Sequence, residues 1–230
     1  MKSISDARSV NFDNEPEFRA DILRRIGEMQ RLSWEYSQKH GAPTFFQDKV
    51  AFRLPTAQMA DAKLIGYRGE VSRFLSPDCV IAEIGTWKGD FAKHLIETCA
   101  PKKLYTIDLT YLRFNHEIMD DYVDRGVLQT IEGNSSLEIA KFPDAYFDLI
   151  YVDGDHSYDG ILKDLAASKD KVKPGGLLAF NDYTNWSVFQ FERYGTMAAV
   201  AEFAVQQGWP VAYFALDPHG YHDIAFRRPS

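Results

Sequence analysis

The sequence contains few of the features that mark secreted, membrane or metal-scaffold proteins. Cysteine is scarce: Cys79 and Cys99 are the only two in 230 residues, and they form neither a CxxC motif nor a dense framework, so neither a zinc site nor a disulfide scaffold is indicated. No apolar run has the length of a membrane span, and the N-terminus lacks the apolar segment of a signal peptide. We therefore expect a reduced, cytoplasmic protein with no membrane partner.

An excess of positive charge is also absent. The net charge is −7 with mixed signs, whereas a nucleic-acid track or an anionic membrane requires clustered lysine and arginine. Hydrophobic residues make up 45% of the chain, which is ordinary for a packed globular protein. The composition predicts one core and argues against nucleic acid or an anionic membrane as the main partner.

Residues 1–77 are predicted to form an N-terminal helical extension. Phe18, Ile22, Ile26 and Met29 recur on one helical face, and Pro16 suits the first turn. The N-cap of this helix is predicted at Asp13 or Asn14.

A second helix is predicted from about Thr56 to Phe74, and Pro77 would stop it. The extension is interpreted as a packing or dimerisation element, which leaves a homodimer open, or as a lid over a substrate. Tyr36, Phe45 and Phe46 are candidates for the wall of a substrate pocket.

Residues 78–230 are predicted to form one α/β domain. Short β-rich runs alternate with helical segments, which is typical of a parallel sheet built from βαβ units. The runs are CVIAEIG, KLYTIDL, VLQTIEG, FDLIYVD and GLLAFND. After a predicted helix over 196–207, VAYFAL and HDIAFRR are joined by a turn too short for a crossover helix, so they predict an antiparallel hairpin at the sheet edge. The predicted fold is a Rossmann-like three-layer sandwich with a seven-stranded, mostly parallel sheet.

Polar residues follow the first two predicted strands, where ligands bind in open α/β sheets. Glu83 precedes a loop in which Gly85 and Gly89 would let the backbone approach a ligand. The spacing is not GxGxxG, which seats a pyrophosphate, and the wider loop beside a carboxylate suits a cationic ligand resembling an amino acid. Asp108 ends the second strand, where a carboxylate can accept both hydroxyls of a ribose.

Two further polar clusters follow the fourth and fifth strands. They contain Asp153, Asp155 and His156, and Asn181 with Asp182. Neighbouring parallel strands would bring these clusters together, and close carboxylates raise one another's pKa unless a cation intervenes. Carboxylate and amide oxygens are the ligands that magnesium prefers, so Mg²⁺ or another divalent ion is predicted here.

The motifs AEIGTWKGDFAKHL, YTIDL, EGNSSLEI, FDLIYVDGDHSYDGILKDL, KPGGLLAFNDY and HDIAFRR resemble the class I S-adenosylmethionine-dependent methyltransferase core over roughly residues 79–228. Within it, DGDH and NDY are similar to macrocin-type sugar O-methyltransferases and, more distantly, to catechol and caffeoyl-CoA O-methyltransferases. The resemblance implies S-adenosylmethionine as cofactor and a methyl group as the group transferred. Catechol-type enzymes carry a lysine where this sequence has His156, and the first member of their acidic pair is here Asn181.

The resemblance also assigns residues. It implies cofactor contacts from Glu83, Gly85, Thr86, Gly89, Asp108, Asn134, Ser135 and Asp153, with Asn134 and Ser135 at the adenine edge. It implies metal ligands at Asp153, Asn181 and Asp182. We hypothesise that a metal at these residues would hold an acceptor hydroxyl while His156 or Asp155 removes its proton.

Other functions are less well supported by these residues. A nicotinamide-dependent oxidoreductase would require GxGxxG and a parallel last strand, and a nucleic-acid methyltransferase would require a basic face or an NPPY-type strand end. A non-catalytic cofactor-binding regulator would not need the DGDH and NDY clusters. The sequence predicts methyl transfer to a small molecule, most simply to a hydroxyl oxygen.

Overall fold

The structure of the protein, a computed structural model, describes residues 16–41 and 51–230. The chain divides into two compact units, residues 1–46 and 47–230. The predicted cap at Asp13 or Asn14 and the pocket candidates Phe45 and Phe46 lie outside the described residues. The roles proposed for the N-terminal extension therefore stay predictions.

The described part of the first unit is one helix, α1, Pro16–His40. Proline suits its first position because the missing N–H would have no partner in the helix. Arg31 donates to Glu35 one turn later at 2.6 Å, an arrangement that stabilises exposed helices. The predicted helix is confirmed, and the candidate Tyr36 lies in its last turn.

The second unit is an α/β sandwich, as predicted, but its sheet has eight strands in the described residues, one more than the seven predicted. Its strands are β1 (Lys63–Ile65), β2 (Val80–Ile84), β3 (Lys103–Asp108), β4 (Leu128–Glu132), β5 (Phe147–Val152), β6 (Val172–Phe180), β9 (Val211–Ala215) and β10 (Asp223–Arg227), and a separate short hairpin holds β7 (Trp186–Ser187) and β8 (Glu192–Arg193). The helices are α2 (Thr56–Met59), α3 (Asp90–Cys99), α4 (His116–Asp124), α5 (Ser135–Ile139), α6 (Tyr158–Ser168) and α7 (Thr196–Gln207).

The strand order, β1-β9-β10-β6-β5-β2-β3-β4, sets the position of the site. The chain runs outward from β2 through β3 to β4, and then returns to β5 and continues in the opposite direction to β6. The order therefore reverses between β2 and β5, where ligands of open α/β sheets bind. Only β10 runs antiparallel to its neighbours in this sheet, β6 and β9.

The predicted hairpin of β9 and β10 is confirmed, but it does not form the sheet edge. A short strand, β1, pairs parallel with β9 and covers it, with Lys63 opposite Tyr213. The predicted helix over residues 56–74 is accordingly wrong in its middle. The segment forms α2, then β1, and then a 3₁₀ helix at Arg68–Phe74, because pairing with a distant strand satisfies the backbone of residues 63–65 better than a local helix does.

The core consists of two apolar layers, one on each face of the sheet. The central strands β5 and β6 are buried on both faces at their C-terminal ends, as expected for near-continuous apolar runs in a parallel sheet. Within the described residues, no helix is both long enough and apolar enough to cross a membrane.

Candidate functional site

A cavity of about 660 Å³ opens at the carboxyl ends of β2, β3, β4 and β5. It lies at the point where the strand order reverses, and each of these strands contributes polar groups to its wall. The residues predicted to contact the cofactor that line it are Glu83, Gly85, Thr86, Asp108, Asn134, Ser135 and Asp153. These residues come from four strand ends, and the fold collects them around one space.

The loop after β2 is shaped by two glycines in the left-handed region. Gly85 has φ +80°, and a Cβ atom there would lie 2.1 Å from the backbone oxygen of Asp153. Only glycine allows the chain leaving β2 to pass so close to the end of β5. Gly89, with φ +85°, precedes α3 and abuts the ring of Phe114 instead of lining the cavity, so its predicted cofactor contact stays a prediction.

Glu83 is a buried carboxyl group, 1% exposed, at the end of β2. The Thr86 hydroxyl donates to its Oε2 at 2.6 Å. Burial raises the pKa of Glu83 to about 8, against the effects of Thr86 and Arg68. The group is therefore mostly uncharged at neutral pH, and a cationic ligand in the cavity would favour its ionised form.

Asp108 holds the loop after β2 in place from the neighbouring strand. Its Oδ2 accepts hydrogen bonds from the backbone N–H groups of Thr86 at 2.8 Å and Trp87 at 2.9 Å.

Two residues beside the cavity have backbone conformations in the left-handed region. Trp87 has φ 48°, and Asp182, just after β6, has φ 52°. Such backbone strain, about 1–3 kcal/mol per residue, concentrates at functional sites.

The far wall of the cavity is formed where β4 leads into α5. Asn134 caps α5, because its side chain accepts from Leu137 N at 3.3 Å. Ser135 donates from its hydroxyl to Asp164 Oδ1 on α6 at 2.6 Å. The sequence reasoning missed Asp164, which lies on the buried face of α6 with Gly160, Ile161, Leu165 and Ser168.

His156 lies between two carboxylates beside the cavity. Its Nε2 is 3.6 Å from Asp153 Oδ1 and 3.6 Å from Asp182 Oδ2, and it has no hydrogen-bond partner among the described residues. Its ring stacks on Tyr194 with 4.6 Å between centroids. The neighbouring strands β5 and β6 thus bring the two predicted clusters together.

Burial governs the protonation of this group. It lowers the pKa of His156 to about 4 and raises that of Asp182 to about 6, with Arg68 opposing the rise. Burial also raises the pKa of Asp153 above its usual value, again opposed by Arg68. His156 is therefore neutral at physiological pH, and a proton that it gained would lie close to two carboxyl groups.

Asp155 has a different environment from His156. It is exposed, and its Oδ1 accepts from Ser157 N at 2.8 Å in the turn before α6. It lines the cavity on the side of α6. Of the two residues predicted as a base, the structure brings His156 against Asp153 and Asp182.

Arg68 is a cavity residue that the sequence reasoning missed. From the 3₁₀ helix before β2, its Nη1 lies 3.2 Å from Asp153 Oδ2 and 3.3 Å from the Tyr151 hydroxyl. The guanidinium also lies over the ring of Phe91, 4.5 Å from its centroid. No local motif marks this arginine, because its role depends on strands that follow more than seventy residues later.

Asn181 faces the hairpin strand β10 with its amide nitrogen. Its Nδ2 donates to Asp223 Oδ1 at 3.1 Å, and the Tyr151 hydroxyl donates to Asp223 Oδ2 at 2.6 Å. Burial raises the pKa of Asp223 to about 6, against the effects of these hydrogen bonds and of Arg68. Asp223 was not predicted, since it lies in the tail and reaches the site only through pairing of β10 with β6.

These contacts do not support the predicted divalent-metal site. Asp153 Oδ2 already faces the cation of Arg68, and the Asn181 amide nitrogen is bound to Asp223. Among the residues that the structure describes, no three histidine, cysteine or acidic side chains are grouped so as to hold a metal ion. The positive charge that the sequence reasoning assigned to a metal is supplied to Asp153 by Arg68.

The antiparallel β10 inserted beside β6 separates this fold from nicotinamide-binding folds, whose sheets stay parallel to the end. Together with the acidic residue before the glycine loop and the carboxylate ending the next strand, it defines a class I S-adenosylmethionine-dependent methyltransferase fold.

Comparison with known proteins agrees with that class. Residues 82–183 match a family described as "Methyltransferase domain". No curated protein sequence matches the chain. The sequence of this stretch is therefore similar to methyltransferases, and the fold is that of the class I S-adenosylmethionine-dependent methyltransferases.

Solved structures resemble the fold at low sequence identity. The pyocyanin biosynthetic protein PhzM has a TM-score of 0.54 and 13% identity, over 70% of this chain and 53% of its own. TrmK of M. capricolum, solved with S-adenosyl-homocysteine, has a TM-score of 0.52 and 20% identity, over 71% of this chain and 69% of its own. MycE, from the mycinamycin biosynthetic pathway and solved with Mg and S-adenosyl-homocysteine, has a TM-score of 0.50 and 16% identity, over 70% of this chain and 47% of its own. This chain therefore spans about half the length of PhzM and of MycE.

Proposed function

We propose that the protein transfers the methyl group of S-adenosylmethionine to a hydroxyl oxygen of a small-molecule acceptor, with His156 as the general base. The observation that carries the proposal is the neutral, unpartnered Nε2 of His156, held 3.6 Å from each of two carboxylates beside the cavity. When bound, S-adenosylmethionine supplies an activated methyl group, so the protein needs no nucleophile of its own.

The cavity offers a cofactor three kinds of contact along its length. Glu83 would favour the positive charge of the amino-acid part, Asp108 would accept the ribose hydroxyls, and Ser135 would face the adenine. The absence of a side chain at Gly85 lets the loop after β2 pass close to the end of β5, so that both strand ends line the cavity. The contribution of these residues is to fix the cofactor so that acceptor and methyl group meet in line.

His156 would accept the proton that the acceptor hydroxyl loses as its oxygen forms the bond to carbon. A neutral imidazole is required for this step, and burial keeps His156 neutral. The imidazolium formed would be stabilised by Asp182 and Asp153 at 3.6 Å. Asp155 is less suited, because Ser157 N already occupies one of its oxygens.

The acceptor would approach past an aromatic wall. Tyr194 stacks on His156, and Tyr221 lies edge-on to Tyr194 at 6.5 Å between centroids. Phe189, at the tip of the β7–β8 hairpin, stacks on Tyr221 at 5.5 Å and is largely exposed. These rings support a role for residues 184–194 in covering the acceptor.

The test compares His156→Ala with His116→Ala, an exposed histidine on α4. Methyl transfer from S-adenosylmethionine would be followed by mass spectrometry on catechol and on a nucleotide-linked hexose as acceptor probes. We expect loss of the base to lower kcat by ~10²–10⁴-fold without weakening S-adenosyl-homocysteine binding. An unchanged kcat in His156→Ala would remove the base role, and a product methylated on nitrogen would remove the oxygen acceptor.

Metal assistance is tested in the same assay. Because Arg68 already compensates Asp153, we expect activity to persist in EDTA. Loss of turnover in EDTA and its recovery with Mg²⁺ would instead return a divalent ion to Asp153, Asn181 and Asp182.

A further inference from the structure

We propose that the carboxylate of Asp164 on α6 accepts a hydrogen bond from the exocyclic amine of the cofactor's adenine, so that the enzyme selects a 6-aminopurine. The proposal rests on S-adenosylmethionine binding in the cavity and adds a residue to it that selects the base. Asp164 lies within the motif FDLIYVDGDHSYDGILKDL, but neither the resemblance nor the mechanism above assigns it a role.

Asp164 is a buried acid with one oxygen left for a ligand. The residue is 2% exposed and nevertheless lines the cavity. Its Oδ1 accepts from the Ser135 hydroxyl at 2.6 Å, and no residue in 16–41 or 51–230 donates to Oδ2. A buried carboxylate that accepts a single hydrogen bond is costly, because an ionised group retains several unfilled lone pairs.

The position of Asp164 fits the base end of the ligand. Glu83, Asp108 and Ser135 lie at or just beyond the carboxyl ends of the adjacent strands β2, β3 and β4, which are spaced ~4.8 Å apart. These three residues therefore form a row across the cavity in the order of amino acid, ribose and base. Asp164 contacts the last of them, and so it lies at the end where the adenine would be held.

The hydrogen-bond directions at this end select a donor. The Ser135 hydroxyl donates its one hydrogen bond to Asp164, so its oxygen can only accept a hydrogen bond from a ligand. Both Asp164 Oδ2 and Ser135 Oγ are therefore acceptors. The amine at C6 of adenine has two N–H donors, whereas a 6-oxo purine would place a third acceptor against these two oxygens.

The protonation of Asp164 agrees with this assignment. Burial raises its pKa, and the Ser135 hydrogen bond is the largest opposing cause. An amine donor on Oδ2 would act in the same direction as Ser135 and favour the ionised form.

Calorimetry with two ligands that differ only at C6 tests the proposal. S-adenosyl-homocysteine carries the amine, and S-inosyl-homocysteine carries an oxygen in its place. A buried mispaired polar group weakens binding by about 5- to 150-fold, so we expect the wild-type protein to prefer the amine at least about fivefold. In Asp164→Asn the side-chain amide can donate to the 6-oxo group, and we expect the preference to shrink to about twofold or to invert.

The matched control is Asp159→Asn, an exposed aspartate in the first turn of α6, which should keep the wild-type ratio. Equal binding of the two ligands by the wild-type protein would overturn the role of Asp164, and this result needs no variant. A wild-type ratio in Asp164→Asn would overturn it as well. Failure of the wild-type protein to bind either ligand would overturn the cofactor assignment itself, and with it the proposal.

Discussion

The raised pKa of Glu83 predicts how the free energy of unfolding depends on pH. Its pKa rises from 4.5 to about 8 in the folded protein, so folding favours the protonated acid. The stabilising effect is therefore complete below pH 4.5 and is lost as the pH rises towards 8. Each pH unit between the two pKa values is worth ~1.4 kcal/mol. By pH 7 the loss amounts to about 3 kcal/mol, and above pH 8 it levels off near 5 kcal/mol.

The variant Glu83→Gln removes this titration and keeps the shape of the side chain. Urea unfolding of both proteins between about pH 5 and about pH 7.5 should show the wild type losing ~3 kcal/mol relative to the variant. Glu117→Gln, an exposed glutamate on α4, should follow the wild type throughout.

The same variant links stability to cofactor binding. A cation near Glu83 favours its ionised form, so S-adenosylmethionine binding at about pH 7 should release a proton, which calorimetry in buffers of different ionisation enthalpy detects. Glu83→Gln should bind more weakly and release none from this site. Parallel stability curves for wild type and Glu83→Gln would refute the reasoning, because they would mean that Glu83 titrates as an ordinary glutamate.

Two other substitutions test the geometry of the cavity. Gly85→Ala should lower the free energy of unfolding, measured in urea, by ~3 kcal/mol or more, because the new Cβ would lie 2.1 Å from the Asp153 backbone oxygen. The control is Gly220→Ala, at φ +85° with open space around it, which should lower the free energy of unfolding by only ~1 kcal/mol. Equal losses in the two variants would contradict the close approach at Gly85. Arg68→Met should weaken S-adenosyl-homocysteine binding at least about tenfold in calorimetry, because Asp153 loses the cation beside it. The control is Arg73→Met, at an exposed arginine of the same 3₁₀ helix. Equal affinities of the two variants for S-adenosyl-homocysteine would contradict a role for Arg68.

Much of the domain was predictable from local signals. The helix at Thr196–Gln207 was predicted at its observed bounds, because apolar periodicity and flanking glycines mark such an element within a short window. Strand β1 was missed because its three residues are held by pairing with β9, about 150 residues away in sequence. Apolar periodicity in residues 56–74 could not reveal that partner.

The residues of the candidate site also fall into two groups, those that local signals could predict and those that depend on distant contacts. Glu83, Asp108, Asp153 and Asp182 each lie within two residues of the carboxyl end of a strand, and so their convergence could be inferred from the order of the strands. Arg68, Asp164 and Asp223 enter from a preceding turn, a helix face and the tail, and their contacts depend on tertiary packing. The prediction of a metal site did not take Arg68 into account, because this cation beside Asp153 lies outside the quoted motifs.

The central claim, that the cavity at the β2–β5 switch point binds S-adenosylmethionine, is tested most directly by calorimetry of the purified protein in EDTA. S-Adenosylmethionine and NAD would be titrated separately, and then again with Mg²⁺. We predict saturable, one-to-one binding of S-adenosylmethionine in EDTA and no binding of NAD. Binding of NAD alone would contradict the account.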